Sequence, residues 1–95
     1  MKYMADEMFE ELPDLLRKEG VDCRTVYEWI DGKKQKTRAI EDWEIRKFLA
    51  QRRSQGEEIT LITKDEDSWK QIQVDGLSVI YVPQVIRDFI LGREK

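Results

Sequence analysis

The chain has 95 residues, which fits a single compact domain over residues 1–95 and leaves no room for a second one. Histidine is absent and there is one cysteine, so Ser-His-Asp and Cys-His catalysis are excluded, and a catalytic zinc site is disfavoured. The net charge of −3 provides no general basic field, so any contact with nucleic acid must use a local patch.

The first half of the chain predicts two strands separated by a helix. Lys2–Ala5 has the pattern of a short buried strand that ends at an acidic residue. From residue 7 to residue 18 the apolar spacing is helical, and Pro13 either kinks that helix or stands at its start. Residues 21–26 predict the second strand, with Cys23 as a small buried apolar side chain.

A polar connection over residues 31–38 comes next. Its basic residues are Lys33, Lys34, Lys36 and Arg38. The helical period returns at Glu41 and is closed by Gly56. Ile59–Thr63 is rich in β-branched residues and bounded by charge, and it is the clearest strand in the sequence.

The last elements are predicted as a strand and a helix. Residues 77–82 are short and continuously apolar, which suits a strand buried on both faces. Pro83 then begins a helix, whose apolar stripe is formed by Val85, Ile86, Phe89 and Ile90. Strands that alternate with helices imply parallel pairing and right-handed crossovers. We therefore expect an α/β fold, a three-layer α/β/α sandwich with a small, mostly parallel sheet.

Two Asp-Gly pairs support an alternative topology. Asp31-Gly32 and Asp75-Gly76 are both strong signals for two-residue hairpin turns. Taken literally, they pair residues 24–30 with 33–40 and residues 69–74 with 77–82. The result would be an α+β domain with antiparallel hairpins.

Four aspartates are placed where a parallel sheet would gather them. Asp6 and Asp65 each follow a predicted strand, Asp67 comes two residues later, and Asp42 opens the second long helical pattern. If the two strands are parallel neighbours, their carboxylates meet at one edge of the sheet. Crowded carboxylates repel one another, and a bound Mg²⁺ or Mn²⁺ would relieve that repulsion. Such an ion can polarise a scissile phosphate, so the pattern predicts phosphodiester chemistry with these four residues as metal ligands and catalytic groups.

Each aspartate also has a structural interpretation. Asp42 is a natural helix N-cap, and Asp6 could cap the first helix in the same way. Asp65 and Asp67 lie in a polar stretch, where acidic residues are ordinary solvated turn residues.

Further side chains could assist such a site. The candidate auxiliary residues are Glu7, Glu44 and Lys64, and Glu41 ranks below Glu7 and Glu44. The basic residues of the 31–38 connection could bind a phosphate backbone, or the connection could simply be a solvated loop. Trp29, Trp43 and Trp69 could stack on bases, although apolar neighbours favour a place in the core or at its rim.

Four segments occur in an order that resembles a known family. They are Met4-Ala5-Asp6-Glu7-Met8, Gly20-Val21-Asp22-Cys23, Asp42-Trp43-Glu44-Ile45 and Leu61-Ile62-Thr63-Lys64-Asp65-Glu66-Asp67. Over nearly the whole chain they resemble the short PIN-like proteins of the PIN nuclease superfamily. The resemblance implies a ribonuclease that uses Mg²⁺ or Mn²⁺, often the toxin of a toxin–antitoxin pair. It also implies that Asp6 is the central ligand, that Asp65 and Asp67 complete the cluster, and that Asp42 matches the acid of the middle helix.

The chain departs from that family in three respects. Met8 stands where the short members usually carry Asn, the basic connection is more charged, and the chain is shorter than a full PIN domain. Three functions are therefore kept open: a metal-dependent endoribonuclease, a non-catalytic PIN-like interaction module, and an RNA-binding α+β domain that uses the basic loop at 33–38.

The expected partners are an RNA substrate and an antitoxin protein, with a homodimer as a further option. No apolar run approaches the length of a membrane span, roughly 20 residues, and the amino terminus lacks a signal-peptide pattern. We therefore expect no membrane partner and a cytoplasmic location.

Overall fold

The computed structural model describes residues 1–6 and 11–83. Its strands are β1 (Lys2–Ala5), β2 (Asp22–Thr25), β3 (Ile59–Thr63) and β4 (Val79–Tyr81). Its helices are α1 (Leu12–Lys18), α2 (Val26–Asp31), α3 (Asp42–Ser54) and α4 (Glu66–Val74). These strands form one sheet in the order β2-β1-β3-β4, and every pair in it is parallel.

The register of the sheet brings the ends of β1 and β3 together. Lys2 pairs with Ile59 and Ala5 pairs with Ile62, so both strands end at the same level. The N–H of Asp6 continues the ladder by donating to the carbonyl of Ile62 at 3.0 Å. The predicted adjacency of these two parallel strands is confirmed.

Helices cover both faces of the sheet. Met4 and Leu61 point to one face and pack in a core with Trp29, Leu49 and Ile72 from α2, α3 and α4. The next residues of the same strands, Ala5 and Ile62, point to the other face and pack with Cys23 and with Leu12 of α1. The alternation follows from the two-residue period of a strand. The α/β sandwich, with a buried Cys23, is confirmed.

The first helix and the second strand differ locally from the prediction. Helix α1 begins at Leu12 with Pro13 in its first turn, so the interpretation of Pro13 as a starting residue is correct. Residues 7–10 of the predicted helix lie outside the described residues. Val26, predicted as the end of the second strand, is the first residue of α2, because Thr25 and Glu28 form a capping box that starts a helix there.

Both hairpins of the alternative topology are wrong, because the described sheet is entirely parallel. Gly32 and Gly76 have positive φ angles of 68° and 74°, and each follows the end of a helix, α2 and α4 respectively. After α4 the N–H of Gly76 donates to the carbonyl of Gln73, and the N–H of Leu77 donates to that of Ile72, which is a Schellman ending. A left-handed glycine serves a helix end as well as a hairpin turn, so the Asp-Gly pair alone did not distinguish them.

The last strand of the sheet is shorter than predicted. Strand β4 covers Val79–Tyr81 rather than 77–82, and Ile80 keeps 44% of its surface exposed, so burial on both faces is wrong for this edge strand. The helix predicted after Pro83 lies outside the described residues. Within residues 1–6 and 11–83, no helix is long and apolar enough to cross a membrane.

Candidate active site

A cleft of about 320 Å³ opens where β1 and β3 end. Three of the four predicted aspartates, Asp6, Asp42 and Asp65, line it. Its other polar lining residues are Thr63, Ser68, Arg46 and Gln71, and its apolar lining residues are Ile40, Ile45, Leu61 and Ile72. The cleft thus combines apolar lining residues with carboxylates contributed by three separate segments of the chain.

A buried hydroxyl joins the two strand ends at the cleft. Thr63, the last residue of β3, has no exposed surface. Its Oγ1 donates to Oδ2 of Asp6 at 2.7 Å and accepts from the backbone N–H of Asp65 at 3.0 Å. Because one hydroxyl makes both contacts, the carboxylate of Asp6 and the chain turn at Asp65 are held in a fixed relation.

A second hydroxyl joins the carboxylates of α3 and α4. Oγ of Ser68 lies 3.1 Å from Oδ2 of Asp65 and 3.3 Å from Oδ2 of Asp42. A serine hydroxyl carries one proton, so the two carboxylates share a single donor. The arrangement therefore places two negative groups within hydrogen-bond distance of the same oxygen atom. Ser68 was not predicted from the sequence, although it lies three residues after Asp65 in the first turn of α4.

Asp42 enters the cleft because it does not cap its helix. The N-cap of α3 is Glu41, whose N–H donates to Oε2 of Glu44 at 3.0 Å, while Asp42 is the first helical residue. The capping interpretation of Asp42 is therefore wrong. Because Glu41 occupies the cap position, the carboxylate of Asp42 does not cap the helix and instead accepts a hydrogen bond from Oγ of Ser68 at 3.3 Å.

Asp65 and Asp67 belong to a helix start rather than to a loop. Asp65 is the N-cap of α4, and its Oδ1 accepts from the N–H of Asp67 at 3.0 Å. Helix α4 was missed because its start looks like a polar turn in the sequence. Asp67 is exposed in the first turn of α4 and does not line the cleft with the other three aspartates.

The candidate auxiliary residues within the described ranges do not line the cleft. Glu7 lies outside the described residues, and Lys64 and Glu44 do not line the cleft. The N–H of Glu41, and after it the guanidinium of Arg38, hold the pKa of Glu44 below its usual value against the effect of desolvation. The carboxylate of Glu44 thus takes part in the capping box at the N-terminus of α3.

Arg46 of α3 brings a positive charge to the cleft. Its Nε and Nη2 donate to the two carboxylate oxygens of Asp75, at 2.6 and 2.8 Å. This bidentate pair raises the pKa of Arg46 and lowers the pKa of Asp75. The negative charge of Asp42 makes a smaller contribution to the rise in the pKa of Arg46. The pair links α3 to the end of α4.

The basic connection is anchored at its end. Arg38 donates to Oδ1 of Asp31 at 2.9 Å and to Oε2 of Glu44 at 3.0 Å, which ties the end of α2 to the start of α3. These contacts raise the pKa of Arg38, with the hydrogen bond to Asp31 as the largest cause. Its charge is therefore largely satisfied within the protein. The lysines of the connection, Lys33, Lys34 and Lys36, are exposed.

The three tryptophans have different environments. Trp29 is buried, and its Nε1 donates to the carbonyl of Tyr3 at 2.8 Å. Trp69 is half-buried and stacks on Tyr81 with ring centroids 5.1 Å apart. Both fit the interpretation as core or rim residues. Trp43 does not, because 62% of its surface is exposed.

The metal-binding potential of the cleft lies in its donor chemistry. In the part of the chain that the structure describes, no three acidic, histidine or cysteine side chains gather closely enough to enclose an ion. The donors that line the cleft are nevertheless carboxylate and hydroxyl oxygens, which hard divalent cations prefer.

No family model, curated protein or solved structure matches this chain. The PIN-like resemblance of its motifs therefore stays a prediction.

Proposed function

We propose that the protein is a divalent-metal-dependent endoribonuclease that hydrolyses phosphodiester bonds at this cleft. The observation that carries the proposal is the convergence of Asp6, Asp42 and Asp65 on one cavity at the carboxyl ends of two parallel strands. In open α/β sheets that edge is where ligands bind. Residues far apart in sequence share this place although like charges repel, which favours a cationic ligand.

Asp6, Asp42 and Asp65 would hold Mg²⁺ or Mn²⁺, in part through water. Mg²⁺ commonly uses only one or two protein carboxylates and keeps several of its waters, so a loose acidic cleft suits it. When bound, such an ion polarises the scissile phosphate and stabilises the leaving oxygen. Asp67 ranks below the other three as a ligand, because it does not line the cleft.

The chain's own groups would position the reactants. A carboxylate of the cleft accepts a hydrogen bond from the attacking water and orients it toward the phosphorus atom. Thr63 and Ser68 hold the carboxylates of Asp6, Asp42 and Asp65 in place. Lys33, Lys34 and Lys36 would attract the phosphate backbone outside the cleft, whereas Arg38 is engaged by Asp31 and Glu44.

A non-catalytic interaction module is the second candidate. It is favoured by the structural roles of the acids, since Asp65 caps α4 and Asp6 accepts from Thr63. In that case a protein partner, such as an antitoxin or a second copy of the chain, would replace RNA. The third option is an RNA-binding α+β domain with antiparallel hairpins. The sheet of the described residues is entirely parallel and contains no such hairpin.

Cleavage of single-stranded and structured RNA with Mn²⁺ or Mg²⁺ tests the proposal. We expect Asp6→Asn and Asp65→Asn to abolish cleavage, because each removes a charged oxygen from the cleft. Glu66→Gln is the matched control, because it removes one charge from the same turn of α4 at an exposed residue outside the cleft. Asp67→Asn measures whether the fourth aspartate contributes at all.

Two results would overturn the nuclease proposal. The first is cleavage that survives both EDTA and the two Asp→Asn substitutions, which indicates a contaminant or another site. The second is an absence of cleavage together with no Mn²⁺ binding at millimolar concentration in a calorimetric titration, which favours the interaction module.

A further inference from the structure

Trp43 is an exposed aromatic side chain beside the acidic cleft. It leaves 62% of its surface in contact with solvent, whereas the rings of Trp29 and Trp69 pack against Phe48 and Tyr81. An indole is the largest apolar side chain, and the fold gains little from it at such a position. The exposed ring therefore has no evident role in the packing of the described residues.

Its position on α3 places Trp43 at the rim of the cleft. The preceding residue, Asp42, lines the cleft, and so does Arg46, which lies one helical turn further along. Residues three and four apart are neighbours on a helix surface, so Trp43 adjoins Arg46 on one side and the exposed Lys47 on the other. On the surface of α3, Trp43 thus lies between Arg46, which lines the cleft, and the exposed Lys47.

We propose that Trp43 is a stacking platform for an unpaired base of single-stranded RNA whose backbone enters the cleft. This inference rests on the proposed ribonuclease function and specifies its substrate as unpaired RNA. Stacking of a base on an aromatic side chain is tolerant of sequence, because every base has a π face. A duplex cannot offer a base face to the ring without being opened.

Trp43 lies among charged side chains and not in an apolar patch, which fits a polar ligand such as a nucleic acid better than an apolar protein surface. Lys47 follows on the same helix face, and Arg38 ties the lysine-bearing connection to Glu44, the residue next to Trp43. The other large exposed apolar side chains of the described residues lie on other elements or at the amino terminus: Met1, Leu15, Val74 and Ile80. Helix α3 therefore offers one exposed ring beside the exposed Lys47, with the charge of Arg46 paired to Asp75, rather than an apolar face.

The binding test uses the Asp6→Asn variant, which cannot cleave under the proposed mechanism. Its affinity for a fluorescent single-stranded oligoribonucleotide of about 12 nucleotides is measured with Mg²⁺ present. Adding Trp43→Ala should weaken binding about tenfold or more, adding Trp43→Phe should restore most of it, and adding Trp43→Leu should not. Affinity for a duplex of the same sequence should change little.

Cleavage kinetics give the second measurement. In the otherwise unaltered protein, Trp43→Ala should raise the KM for single-stranded RNA about tenfold and leave kcat within about twofold, because the ring lies outside the reacting atoms. The melting temperature should stay unchanged, since the side chain is exposed.

The outcomes separate this inference from the function on which it rests. Wild-type cleavage with the same KM in Trp43→Ala overturns the stacking role and leaves the nuclease intact. RNA affinity that is absent, or that is equal in the Ala, Leu and Phe variants, overturns the stacking role whether or not the protein cleaves. A change of oligomeric state in Trp43→Ala, measured by sedimentation, assigns the ring to a protein contact and also overturns it.

Discussion

Thr63→Val tests the hydroxyl that joins the two strand ends at the cleft. Valine has nearly the shape of threonine, so the substitution removes the hydroxyl from a fully buried position without opening a cavity. It deletes the donor to Oδ2 of Asp6 and the acceptor for the N–H of Asp65. The carboxylate of Asp6 and the N–H of Asp65 then each lose a hydrogen bond to residue 63, which is fully buried.

The expected cost is about 2 kcal/mol in the free energy of unfolding. A hydrogen bond to a charged group contributes about 1.5–3 kcal/mol, and a donor left unpaired adds its desolvation cost unless water reaches it. Asp6 is half-buried and Asp65 is exposed, so water replaces part of the loss and the lower half of the range applies. For a domain of this size, about 2 kcal/mol corresponds to a fall of roughly 10 °C in the melting temperature.

The assay is urea unfolding at pH 7 of wild type, Thr63→Val and the control Thr60→Val. Thr60 is buried in the same strand, but its hydroxyl bonds the neutral hydroxyl of Ser78 at 2.7 Å. We expect the control to lose only about 1 kcal/mol, the typical value for a neutral hydrogen bond. Equal losses in the two variants, or a Thr63→Val protein as stable as wild type, would refute the role given to the Asp6 contact.

Two further predictions concern the charges of the cleft. Mn²⁺ should raise the melting temperature, because an ion that binds only the native state stabilises it by about 2.7 kcal/mol at a concentration 100 times its Kd; no shift in wild type, or the same shift in Asp6→Asn, would count against a shared metal site. Arg46→Ala should destabilise the protein at neutral pH but not in strong acid, which is checked by unfolding across pH. Arg46 lowers the pKa of Asp75 below its ordinary value of 3.8, so the stabilisation is present above that value and is lost as pH falls through the lower, folded-state pKa. A destabilisation that is the same at pH 2 and pH 7 would contradict this cause.

Local patterns predicted the four strands and helices α1 and α3, but not helices α2 and α4. Ile59–Thr63 was predicted with its observed bounds, because a β-branched run between charged residues favours a strand in most contexts. Helix α4 was missed, since its first residues, Asp65 to Ser68, are typical of a polar turn as well as of a capped helix start. Helix α2 was missed because the capping box of Thr25 and Glu28 lies directly against a strand pattern.

The sequence by itself indicated an α/β class with parallel strands and placed Asp6 and Asp65 after two of them, while its two Asp-Gly pairs left an antiparallel alternative open. The α/β class and the strand positions follow from the period of apolar residues and from the alternation of strands with helices, which can be read locally along the chain. The tertiary structure alone decided that Asp42 faces the cleft, that Asp67 does not line it, and that Thr63 and Ser68 hold the carboxylates. The physical reason is that the hydroxyl contacts to Asp6 and Asp42 join residues 57 and 26 positions apart, and a hydrogen bond over such a separation leaves no periodic signal in the chain.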